Sequence, residues 1–199
     1  MSQEKEYGIA LKLNATCSAE AISLNKICAE AWPNLENPSN TWHITLYHGA
    51  YKDSDLWDIC SKINALNTQH ITLNFSTIYN TANRWVDWKI DKTEELALLH
   101  HKVVDIASPY HQLPLERSKD VYDSLSTPQK AQVDKYGVSG ILDLYNPHTT
   151  LFYQYPPDTI LNDITEILPA EIIMSYYPES LILGELGYNG NITSVLYES

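Results

Sequence analysis

Three tetrapeptides in the chain share one form: His43-Ile44-Thr45-Leu46, His70-Ile71-Thr72-Leu73 and His148-Thr149-Thr150-Leu151. Each lies in an apolar, strand-like run, and residues two apart on a strand point to the same side. Every histidine therefore stands beside its own threonine, with the intervening residue turned away. Two such strands side by side place two imidazoles and two hydroxyls around one concave spot. That set suits phosphodiester chemistry. A neutral imidazole takes a proton from the attacking water or hydroxyl, while a protonated one gives a proton to the leaving oxygen. The threonine hydroxyls donate to the non-bridging oxygens, where negative charge accumulates. Histidine serves both roles because its ordinary pKa of about 6.5 keeps both forms accessible near neutrality. The scheme calls for no cofactor and no metal.

The elements that must position these residues follow from periodicity. Tyr7 to Leu13 alternates as a half-buried strand. Ser18 is the expected cap of a helix carrying Leu24, Ile27, Cys28 and Ala31. Residues 42–47 read as a strand and 53–66 as a helix with Leu56, Ile59, Cys60 and Ile63 on one stripe. Residues 70–78 and 84–90 read as a hairpin turned at Asn80-Thr-Ala-Asn83, and Asp91 with Glu94 has the form of a capping box. The helix it opens buries Leu96, Leu99, Val103 and Ile106 and ends at Pro109. Residues 108–140 are a polar stretch in which Thr127-Pro128 starts, and Gly137 closes, a short helix. Strand character returns at 148–155, a helix is expected from Asp158 to Pro169, and strands at 171–177, 179–186 and 191–197 end the chain. The order describes an α+β protein with helices on the faces of its sheets.

The 199 residues, 44% hydrophobic and 19% charged, suffice for a packed core. A formal charge of −12 repels a polyphosphate backbone and anionic lipid, which excludes a general binder of duplex nucleic acid but not a small phosphorylated substrate. No apolar run approaches the roughly 18 residues a membrane span needs, and the polar opening Met1-Ser-Gln-Glu-Lys-Glu6 lacks a secretion signal. Cys17, Cys28 and Cys60 are odd in number and lack metal-ligand spacing, as expected of reduced thiols in a cytoplasmic protein.

The paired His-x-Thr-Leu motifs, about a hundred residues apart on a chain of this length, resemble those of the two-histidine (2H) phosphoesterase superfamily, which includes the 2′–5′ RNA ligase-like proteins and cyclic nucleotide phosphodiesterases. The resemblance implies a bilobal fold with antiparallel sheets, helices on the outer faces, pseudo-two-fold symmetry and one motif per lobe. On that reading residues 1–199 are a single bilobal domain with an insertion at 108–140, which could form a lid. It implies metal-independent action on a 2′,3′-cyclic, 2′–5′ linked or cyclic nucleotide phosphodiester. The residues expected to carry it are His43 and His148 as the acid–base pair and Thr45 and Thr150 as oxyanion donors. By its place in the order, His70 with Thr72 is structural, and the hairpin it begins resembles the non-catalytic strand pair of the first lobe.

Other residues rank lower. By strand parity Tyr47 shares the His43 face and is the expected base-stacking residue, whereas Tyr153 falls opposite His148. Many relatives are basic at the position of Tyr47, so its presence argues against polynucleotide binding. His48 is either a cleft residue or a solvent-facing strand end. His100, His101 and His111 make a poor zinc site, and Arg84, Arg117 and Lys119 are the cations that could meet a phosphate. A monomer acting on a small nucleotide or short oligonucleotide is the expectation. The alternatives are an inactive nucleotide binder of the same fold and a protein-interaction domain.

Overall fold

The computed structural model describes residues 5–31, 41–81, 85–112, 114–153, 164–169 and 171–199. Its strands are β1 (Lys5–Leu13), β2 (His43–Tyr51), β3 (Leu73–Asn80), β4 (Val86–Ile90), β5 (His148–Phe152), β6 (Glu171–Tyr176), β7 (Pro178–Leu186) and β8 (Ile192–Glu198). Its helices are α1 (Ala15–Ala31), α2 (Asp53–Ile63), α3 (Glu94–Ala107), α4 (Glu116–Val121), α5 (Thr127–Tyr136) and α6 (Ile164–Ile167). The turn proposed at 80–83, and most of the helix expected from Asp158, fall largely outside the described residues. No helix among the described residues is long and apolar enough to cross a membrane.

The strands form two four-stranded antiparallel sheets, ordered β2-β1-β7-β8 and β5-β4-β3-β6. Each motif strand is an edge strand. The chain does not divide cleanly into halves, because the last two strands return to complete the sheet begun by the first two. The β3–β4 hairpin accordingly pairs with β5, the second motif strand, and not with the first lobe as its resemblance suggested. His70 precedes β3 in an exposed turn.

Central strands lose their alternation because both faces are covered, so Ile9, Ala10 and Leu11 of β1 are all fully buried. The main core is continuous across both sheets, joining Ile9, Leu11, Ile44 and Leu46 to Phe75, Trp88, Ile90 and Leu151. Each such aliphatic side chain contributes about 1.5–3 kcal/mol by leaving water. Helix α1 turns Cys17, Ala21, Leu24, Asn25 and Cys28 inward, whereas Ile27 is exposed. Its first turn is capped by Asn14, whose Oδ1 accepts from the Cys17 amide at 2.9 Å, and not by Ser18, which already lies inside the helix. Similarly Thr93, one residue before α3, caps it in place of Asp91 by accepting from the Leu96 amide. In α5 the cap is Ser126, whose amide donates to Gln129, and Gly137 ends the helix at φ 78°. Burial pushes the Cys17 and Cys28 thiols up to about 12, and all three cysteines are free.

Candidate active site

Both motif strands carry a bulge at the motif leucine. In β2, Thr45 pairs with Ala10 while Tyr47 pairs with the adjacent Ile9, so Leu46 is the extra residue. In β5, Thr150 pairs with Asp87 while Phe152 pairs with Val86, so Leu151 is the extra residue. An inserted residue reverses the alternation beyond it. The faces of β2 therefore run His43, Thr45 and then His48 toward the cleft, with Leu46 and Tyr47 both in the core.

Tyr47 is 0% exposed and its hydroxyl donates to the Tyr136 carbonyl at 2.7 Å. Tyr47 nonetheless stands among the residues lining the cavity described below, with its ring packed into the core. Tyr153, expected on the face away from His148, lines the same cavity. One signal for both was present: a pair of large apolar residues directly after the threonine (Leu46-Tyr47 and Leu151-Phe152) breaks strict alternation.

A bulge leaves carbonyls off the ladder, and a buried unpaired carbonyl costs about 1–3 kcal/mol. Each is met by a buried polar side chain from a packed helix. His100 of α3 donates from Nδ1 to the Leu46 carbonyl at 2.7 Å, and Asn25 of α1 donates to the Leu151 carbonyl at 2.8 Å. Tyr145, stacked on His100 with ring centres 3.8 Å apart, donates to the Thr45 carbonyl at 3.0 Å. The other nitrogen of His100 accepts from the amide of Leu142, which is held at φ 54°. Burial lowers the His100 pKa to about 4, so the ring stays neutral. It is thus a structural bridge and not a metal ligand. His101 and His111 do not join it, and no group of three His, Cys, Asp or Glu among the described residues could hold a metal ion.

The edge strands meet along a cavity of about 450 Å³ lined by His43, Thr45, His148 and Thr150 together. The two histidines are oriented alike. His43 Nδ1 donates to the Thr41 carbonyl at 2.7 Å and His148 Nδ1 to the Asn146 carbonyl at 2.8 Å, which in both cases leaves Nε2 for the cavity. Burial lowers the His43 pKa, the Thr41 carbonyl partly offsets this, and the nearby His148 charge adds to the lowering.

The threonines are not equivalent. On β2, Arg117 Nη2 donates to His48 Nδ1, and a ring accepting there carries its proton on Nε2. His48 Nε2 lies 3.4 Å from Thr45 Oγ1 and donates to it, so the Thr45 proton is free to turn toward the cavity. Burial first, then Arg117, hold the His48 pKa well below its ordinary value. On β5, Thr150 Oγ1 instead donates to Asp87 Oδ1 at 2.9 Å, and Asp87 Oδ2 lies 3.6 Å from His148 Nε2. Asp87 is 1% exposed, and burial raises its pKa while His148 and Thr150 pull it back.

Sequence reasoning missed Asp87, an acid in the apolar run Trp85-Val86-Asp87-Trp88, and ranked His48 and Arg117 too low. The polar stretch 108–140 supplies Arg117, Ser118, Asp120, Val121 and residues 138–140 to the cavity wall, and Ile141 follows directly. Lys119 pairs with Glu116 on the surface, Arg84 lies outside the described residues, and His70 is not among the lining residues.

No family model matches the chain, and no curated protein is significantly similar to it. Among solved structures it is similar to a protein of Thermus thermophilus, with TM-score 0.64 and 14% identity over 97% of this chain and 96% of that one. It is also similar to E. coli LigT complexed with ATP, with TM-score 0.61 and 14% identity over 99% and 98% of the two chains. A third is described as a phosphoesterase, with TM-score 0.61 and 12% identity over 99% and 98%. At these identities the likeness is one of fold, and the fold is that of the two-histidine phosphoesterases.

Proposed function

We propose that the protein is a phosphodiesterase that opens a 2′,3′-cyclic, 2′–5′ linked or cyclic nucleotide phosphodiester by acid–base catalysis between His43 and His148. The observation that carries this reading is the matched pair of imidazoles, each tied through Nδ1 to the carbonyl two residues upstream, on edge strands that share one cavity. A neutral His43 presents a lone pair at Nε2 and acts as the base. His148, whose Nε2 lies 3.6 Å from the buried Asp87 carboxyl, acts as the acid. In hydrolysis the water oxygen bonds to phosphorus as its proton passes to His43. The bond to the leaving oxygen breaks as His148 supplies the proton, giving a phosphomonoester and an alcohol. Thr45 donates to a non-bridging oxygen. Trp85 and Tyr188 line the same cavity with exposed ring surface and are the platforms for a base. That LigT was solved with ATP is consistent with a cavity of nucleotide size.

The test is turnover, with EDTA present, of a panel of 2′,3′-cyclic nucleotides, 2′–5′ oligonucleotides and cyclic dinucleotides. At least one is expected to be cleaved, with a bell-shaped pH dependence. His43→Ala and His148→Ala should each lower kcat by roughly 10²–10⁴-fold. Binding of the panel without cleavage of any member would instead support a nucleotide-binding protein of the same fold.

A further inference from the structure

Asp120 is the only acidic residue among the described residues that line the cavity. An acid in a cleft that takes an anion is unfavourable unless it faces a part of the ligand that donates hydrogen bonds. Among the described residues Asp120 forms no ion pair, and the cations nearest to it in the chain are both engaged, Lys119 by Glu116 and Arg117 by His48. Asp120 is exposed, and its side chain accepts one long hydrogen bond, at Oδ2 from the Tyr188 hydroxyl 3.4 Å away. Both carboxylate oxygens therefore keep room for a donor.

Tyr188 is brought there by a tight turn between β7 and β8. The Gly187 amide donates to the Asn191 carbonyl at 2.8 Å and the Gly190 amide to the Gly187 carbonyl at 2.9 Å, with Gly190 at a φ of +81° that favours glycine. Tyr188 lines the cavity wall and is 75% exposed, so its ring is open to a ligand. Its hydroxyl contact puts the carboxylate at the rim of the ring. A base stacked on the ring thus presents its edge to Asp120. A carboxylate repels phosphate oxygens, so the part of a nucleotide that it meets is not the phosphate. Among base edges guanine's suits a carboxylate best. Its N1–H and N2–H donors lie side by side and meet both oxygens together. Adenine and cytosine set one amine beside a ring-nitrogen lone pair, and uracil flanks a single N–H with carbonyls.

We propose that Asp120 and Tyr188 form the base position of the cleft and select guanine, so that the preferred substrate is a guanosine phosphodiester. The diester rests on the function proposed above; the base position does not. The experiment compares kcat/KM for guanosine, inosine and adenosine 2′,3′-cyclic phosphates in wild type, Asp120→Ala and Asp120→Asn. Wild type is expected to favour guanosine over adenosine by about tenfold or more, the effect of one charge-assisted hydrogen bond, with inosine, which lacks the N2 amine, in between. Asp120→Ala should bring the guanosine-to-adenosine ratio near one. Asp120→Asn, whose amide offers one donor and one acceptor, should lower it at least as far. Using the ratio cancels any change in the chemical step common to all three. A wild-type ratio near one, as a carboxylate that gripped only the ribose would give, overturns the proposal, and so does a ratio unchanged in Asp120→Ala; Asp120→Asn keeps the test informative if Asp120→Ala does not fold. Calorimetric binding of guanosine 5′-monophosphate against adenosine 5′-monophosphate is measured alongside. If no diester is cleaved yet the guanosine nucleotide binds more tightly and loses that advantage in Asp120→Ala, the functional reading falls and the base position stands. If diesters are cleaved with no preference for guanosine, the base position falls and the functional reading stands.

Discussion

Around Thr45 a donor chain runs from Arg117 through His48 and ends in a hydroxyl proton free for the cavity; around Thr150 the hydroxyl proton is already given to Asp87. The backbone beneath the two is the same: an edge strand, an imidazole tied to the carbonyl two residues before it, and a bulge at the motif leucine. On the proposed function, repeated geometry with unlike surroundings is what would separate the two imidazoles into a base and an acid. A symmetric pair in one cavity would share a proton poorly, since each charge disfavours the other.

The largest effect expected from this difference is at the threonines. Thr45→Val should cost kcat on the order of 10²–10³-fold, the loss of one oxyanion donor, and Thr150→Val distinctly less. Equal losses in steady-state assays would remove the asymmetry. Next is stability against pH. Between pH 6.5 and about 4 an unfolded chain takes up a proton at His100 that the folded chain does not. Stability therefore falls as pH drops through that window, by up to about 3 kcal/mol, and levels off beneath it. His43 and His48, also lowered, add in the same direction. Thermal melts of wild type and His100→Asn should show a flatter pH dependence in the variant, even though the variant starts lower.

Smaller again is the effect of Asp87→Asn, which changes the acceptor of the Thr150 hydroxyl and the group beside His148 and should lower kcat/KM severalfold in steady-state assays. An unchanged kcat/KM would separate Asp87 from the acid. The smallest is His70→Ala, in an exposed turn, which should leave both activity and melting temperature near wild type, within about 0.5 kcal/mol.

Most of the fold was legible because its strands and helices keep their periods over many residues, and the two histidine motifs identify their edge strands directly. What stayed hidden has three physical causes. Parity carries a face assignment along a strand only until an extra residue intervenes, which is why Tyr153 was placed away from the cavity that it lines. Helix caps were misplaced by one to four residues where several cap-competent residues stand together, as at Asn14 and Ser18 or Asp91 and Thr93. Residues that work across the fold leave almost no local mark: Asn25 and His100 look like polar interruptions of apolar helices until the carbonyls they satisfy are known, and Arg117 is one cation in a polar stretch.

The return of β7 and β8 to β1 has a kinetic consequence. The sheet that holds His43 is assembled from residues 5–51 and 178–198, so its inner pairing, β1 with β7, joins positions more than 160 residues apart. Such distant pairing makes folding slow, since chain entropy must be lost before the contacts can repay it. During synthesis the first imidazole would wait, on the β1–β2 pair with one open flank, until β7 had emerged.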